Sequence, residues 1–122
     1  MVNRALYRGP QFICVDLNDE LMDGVGDFRG MPIRRRFPEL RGSGLFSAMD
    51  RVYLSGQAEE MDWTSLVDGE EGTMLILPWL EEERVVGVGL HFHPCGRSFD
   101  LANAALRHAP VVSAVLLGLG LG

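Results

Sequence analysis

Between Gly89 and Ser98 the chain reads GLHFHPCGRS, which sets His91, His93 and Cys95 at alternate positions. Each of these side chains can bind a metal ion. On an extended strand His91 and His93 project from one face, about 6–7 Å apart given the usual rise per residue. That arrangement suits zinc or copper, and Cys95 joins the pair if the turn at Pro94 bends inward. A closed structural zinc site takes four ligands and a catalytic one takes three, and the one remaining histidine is His108. Two imidazoles on a solvated or interface-facing sheet explain the same residues, since an isolated His-x-His is a weak motif. A small zinc or copper protein, or a metalloenzyme, built on His91, His93 and Cys95 is therefore the alternative reading. The leading reading needs no cofactor.

Other chemistries fail on residue type. Asp16, Asn18 and Glu20 alternate like calcium ligands, but the sixth position holds Leu21 where glycine is required, and the twelfth holds Asp27 instead of glutamate. The RGSG stretch at 41–44 lacks the following Gly-Lys-Ser/Thr of a phosphate-binding loop. There is no GxSxG, and neither Cys14 nor Cys95 sits in a catalytic-thiol signature. An enzyme is therefore the less favoured class.

The elements that must position these residues follow from periodicity. QFICVDL (11–17) is rich in β-branched and aromatic residues and reads as a strand. Residues 23–44 are rich in Gly, Pro and Arg and read as a loop. Leu45, Met49, Val52 and Tyr53 share one helical face, with Ser43 as cap, and residues 58–67 extend the helical content. TMLILPWL (73–80) and RVVGVGLHFH (84–93), separated by three glutamates, read as a hairpin. Pro78 cannot donate to a ladder, which argues for an edge strand at 73–80. Ser98 caps a predicted helix whose apolar stripe is Leu101, Ala102, Ala105, Leu106 and Ala109, and residues 111–121 form a last edge strand. The order, strand–helix–strand–strand–helix–strand, predicts an α+β, ferredoxin-like βαββαβ domain: a four-stranded antiparallel sheet with both helices on one face.

Composition narrows the setting. One domain accounts for 122 residues, of which 47% are hydrophobic and 23% charged. A net charge of −6 disfavours nucleic acid as a partner. Without an apolar N-terminal segment or a run long enough for a bilayer, the expectation is an intracellular, non-secreted chain with no membrane partner. All 11 basic residues are arginine. Residues 29–51 hold six of them against two acids, whereas residues 57–83 hold nine acids and no base. Pairing of these patches between molecules would give a salt-sensitive contact through Arg34, Arg35 and Arg36. The C-terminal LLGLGLG places Leu117, Leu119 and Leu121 on one side of an unblunted apolar edge, which another chain can cover. The sequence thus points to a non-enzymatic regulatory or adaptor domain that binds another protein and itself, as a homodimer or larger assembly.

Overall fold

The computed structural model describes residues 3–94 and 99–107. In chain order it holds β1 (Asn3–Arg8), β2 (Ile13–Leu17), α1 (Asp19–Val25), α2 (Ile33–Arg36), a 3₁₀ turn (Pro38–Leu40) and α3 (Leu45–Ser55). These are followed by β3 (Glu59–Thr64), β4 (Glu71–Glu81), β5 (Arg84–His93) and β6 (Leu106–Arg107). The strands form one sheet in the order β2-β1-β5-β4-β3, every neighbour antiparallel, and the short β6 runs parallel to β4.

This curled half-barrel overturns the ferredoxin-like expectation, for four reasons. β1 was hidden because Ala5, Leu6 and Tyr7 are all buried, so the strand shows no polar alternation. Residues 59–64 form a strand where helix was expected, with Met61 and Trp63 half-buried and Glu60, Asp62 and Thr64 exposed. Residues 99–107 are not helical but extended and turning, and end in β6. Finally, β4 is not an edge, because β5 flanks one side and β3 the other. Pro78 is tolerated there because β3 pairs with β4 only as far as Ile76 and β6 begins at Trp79, so the proline falls where the neighbouring strand changes. The expected edge strand at 111–121 and the cap Ser98 lie outside the described residues.

Alternation along β4 sends Met74 and Ile76 toward the helices and Leu75 and Leu77 to the opposite face. The main core lies on the helix side, where Ala5, Tyr7, Val88, Leu90 and Phe92 meet Ile33, Leu45, Met49 and Val52. A second, smaller cluster on the outer face joins Leu75 and Leu77 to Ala104, with Phe99, Leu101 and Leu106 against it. The curl is helped by two bulges: Val15 has no register partner between Leu6 and Tyr7, and β5 holds an extra residue, Val86, opposite Trp79 and Leu80. α3 is as expected, but it starts at Gly44 in the left-handed region, while the Ser43 hydroxyl accepts from the Leu45 N–H at 3.3 Å.

The β4–β5 hairpin turns through Glu82 and Glu83, with φ of 52° and 63°. Two-residue turns of this hand favour Asn-Gly, since a Cβ at positive φ is strained. Glu82→Asn combined with Glu83→Gly is expected to raise the unfolding free energy by about 1 kcal/mol. Urea denaturation checks this, and an unchanged midpoint would count against a strained turn.

Candidate functional site

Where the concave face of the sheet meets α1, α2 and α3, the core does not close, and a cavity of about 50 Å³ remains. That exceeds the space of a single water. Its walls are mainly apolar and aromatic, including Phe28, Trp63, Phe92 and Leu90, with Asn3, Tyr7 and Ser65 as the polar members. Ser65 is committed to its loop, its hydroxyl accepting from the Val67 N–H at 3.2 Å. The Tyr7 hydroxyl is held neutral: burial first, then the neighbouring Cys14, raise its pKa well above the usual 10.0. Asn3 is 8% exposed, and its Oδ1 accepts no hydrogen bond. A buried acceptor without a donor costs about 1–3 kcal/mol, so Asn3, one of the lining residues, is a costly residue to keep here. Leu40, Trp63 and Leu66 line both this cavity and an open groove whose rim adds Asp62 and Glu71, so they stand between the cavity and solvent. Sequence reasoning missed Asn3, Tyr7 and Trp63. The alternation of Met61 and Trp63 within an acidic stretch was the signal that could have found the last of these.

On the opposite face β5 presents Gly87, Gly89, His91 and His93, as expected from the alternation, but the face is covered. His91 and His93 are 7% and 6% exposed, with ring centroids 4.5 Å apart, and Phe99 lies 4.8 Å from His93. Arg4 and Leu75 flank His91 in register, and Thr73 flanks His93. The structure brings the two imidazoles together, whereas Cys95 and His108 lie outside the described residues. Among the described residues no group of three His, Cys, Asp or Glu is placed to hold a metal. Burial first, then the charge on His93 and on Arg4, push the His91 pKa from 6.5 down to about 3.

The arginine run divides. Arg34 pairs with Asp50 at 3.0 Å and covers the rings of Phe12 and Phe46. Arg36 donates to the Val25 carbonyl and lies 4.4 Å from the Phe37 ring centre and 5.8 Å from that of Phe28. Arg35 alone of the three is exposed. Across the two charged patches, Arg51 grips Glu59 at 2.8 Å, which holds the Glu59 carboxyl below its usual pKa. Leu117, Leu119 and Leu121 lie outside the described residues.

No family model matches the sequence. No curated protein matches it either. Among solved structures the chain is similar to a sensory box sensor histidine kinase from Vibrio cholerae, with a TM-score of 0.65 and 16% identity over 76% of this chain and 81% of that one. The likeness is one of fold: a curled sheet with short helices that resembles a sensory-box, or PAS, fold. No helix among the described residues is long and apolar enough to cross a membrane.

Two expectations follow from these placements. His91 is neutral in the fold down to about pH 3 but takes a proton near pH 6.5 when unfolded, so its contribution is lost as the pH falls below 6.5. At about pH 5 the loss amounts to about 2 kcal/mol. His91→Gln should flatten that part of the stability–pH curve, and an equal slope in both proteins would refute it. For the arginines, Arg36→Ala is expected to lower stability by about 1–2 kcal/mol, through the lost bond to Val25 and the uncovered rings. Arg35→Ala should stay within about 0.5 kcal/mol of the parent.

Proposed function

We propose that the chain is a non-enzymatic regulatory domain of the sensory-box kind, acting by binding other proteins and a second copy of itself. The observation that carries this reading is the apolar cavity between the sheet and the helices of a fold that resembles that of a sensory-box protein, with Asn3 among its lining residues. A fold that only needed stability would fill this space. Asn3→Leu is therefore expected to stabilise the protein by about 1 kcal/mol by removing the unpaired acceptor. A drop in the thermal midpoint instead would mean that Asn3 serves the fold.

Association through the arginine cluster rests on its exposed members. Arg34 and Arg36 are engaged within the chain, which leaves Arg35, together with Arg41 beyond the run, to meet the acidic residues Glu60 and Asp62 of another copy. Changing Arg35 and Arg41 together to Glu should weaken self-association at low salt and reduce its salt dependence, as measured by sedimentation. Sedimentation identical to the parent at low salt would sink the charge-driven contact. Leu117, Leu119 and Leu121 belong to the same proposal, and truncation after Leu116 with light scattering tests their part.

A second reading, zinc or copper binding by His91 and His93 with Cys95, is favoured by the close approach of the two rings and by the neutral state of His91, which leaves a lone pair for a metal. Elemental analysis of untagged protein, with His91→Ala/His93→Ala as control, decides between the two.

A further inference from the structure

We propose that β3 is a docking edge, beside which an extended segment of a partner protein, with basic and apolar residues in alternation, joins the sheet as a further strand. The inference rests on the reading that the domain binds other proteins, and gives that reading a surface and a partner chemistry.

The chain treats the two ends of the sheet differently. At the β2 end its own loop takes up the outward backbone groups. The Cys14 N–H donates to the Met31 carbonyl at 3.0 Å, and the Cys14 carbonyl accepts from the Gly30 N–H at 2.7 Å. The Phe12 carbonyl accepts from the Ile33 N–H at 3.1 Å. At the other end β3 pairs with β4 along its whole length, from Glu59 opposite Ile76 to Thr64 opposite Glu71, and with no other strand. Among the described residues no backbone hydrogen bond reaches the far side of β3. Strand geometry points the N–H and C=O of every second residue to that side, so β3 presents an open ladder.

The side chains state what an added strand must carry. Glu60, Asp62 and Thr64 are exposed on one face of β3, whereas Met61 and Trp63 are half-buried against the main core. Side chains on neighbouring strands meet when they share a face. One set of residues on the added strand therefore lies against Glu60 and Asp62, and the other against Met61 and Trp63. Neither Glu60 nor Asp62 is in an ion pair among the described residues, while Glu59 is already held by Arg51. Glu71, opposite Thr64, adds a third carboxylate to the same face. For the apolar set there is an open groove of about 670 Å³, which takes in Trp63 and is walled further by Leu40 and the exposed Leu66. Clefts that hold ligands span about 300–1,000 Å³.

A second copy does not supply this strand. Setting β3 against β3 would bring Glu60 and Asp62 of both copies together, and like charges across a ladder repel. The β2 edge of another copy is covered by its own residues 30–33, and Arg34, Arg35 and Arg36 are wound into α2. The occupant is a different protein. The acidic edge repels its own kind and attracts a basic strand, which is how an open edge is made selective.

A synthetic peptide of Arg-Val repeats with blocked ends tests this on the full chain. Its controls are the same peptide with every backbone amide N-methylated, and a peptide of Glu-Val repeats. Trp63 emission reports binding, since Trp79 is only 2% exposed. The Arg-Val peptide should slow amide exchange within residues 59–64 by about tenfold or more. Both controls should bind more weakly by at least about tenfold. Glu60→Lys/Asp62→Lys, two exposed positions, should reverse the preference, favouring Glu-Val over Arg-Val by about tenfold. Equal binding of the N-methylated peptide would overturn the added strand. Binding of Arg-Val with exchange at 59–64 unchanged would place it elsewhere and overturn the edge. Undiminished Arg-Val binding by the charge-reversed variant would overturn the partner chemistry. No binding by the parent overturns the whole proposal. If Glu60→Lys/Asp62→Lys then still loses self-association on sedimentation, the contact between copies stands and only the docked strand falls. Should that variant fail to fold, the N-methylated control on the parent decides alone.

Discussion

The structure depends on one constraint: the middle of the sheet is apolar on both faces. Leu75, Ile76 and Leu77 are consecutive on β4, all fully buried, and strand geometry sends them alternately to opposite sides. A single layer of helices covers only one of those sides. α1, α2 and α3 take the concave face, and residues 99–107 take the other. The curl then follows from covering a strongly twisted five-strand path with short helices, aided by the extra residues Val15 and Val86.

What could be read in the sequence, and what could not, follows from the same constraint. The β4–β5 hairpin was legible because its glutamate turn breaks two apolar runs, and α3 because its apolar positions repeat at helical spacing. The faces of β5 were legible too, with Val88, Leu90 and Phe92 inward and Gly89, His91 and His93 outward. Strands buried on both faces leave no alternation to detect, and so β1 passed unnoticed between Arg4 and Arg8. The residues 101, 102, 105 and 106 do repeat like a helical stripe, but Leu106 sits over Gly89 and in a two-residue ladder, and tertiary contact outweighs local period. Pro78 misled for a related reason: the rule about proline holds bond by bond, and β4 lacks a neighbour at that one point.

The cavity was out of reach for a different reason. Asn3, Tyr7, Trp63 and Ser65 come from β1, β3 and the loop after it, and only the strand order brings them together. The histidine pair is the converse case. Its geometry was fixed by spacing within a single strand, yet its burial depended on Phe99 and on Arg4, which arrive from outside that strand.

The charge pattern shows how far composition can be carried. Residues 29–51 look like a basic surface when counted along the chain, but four of the six arginines are committed locally. Arg29 holds Asp27, Arg34 holds Asp50, Arg51 holds Glu59, and Arg36 lies on Phe37 while donating to Val25. The role of Arg36 explains the residue type physically. A flat guanidinium covers an aromatic ring with its face while its edge donates to a carbonyl, which an ammonium cannot do. The Arg34 guanidinium likewise spans Phe12 and Phe46 while bonded to Asp50. Arg34 is thus balanced by Asp50, whereas Arg36 is held by rings and a carbonyl with no acidic partner among the described residues. Within residues 29–51 the exposed arginines without an ion pair among the described residues are Arg35 and Arg41, a smaller field than the sequence count implies. Charge of that size steers an encounter and sets its register more than it adds affinity.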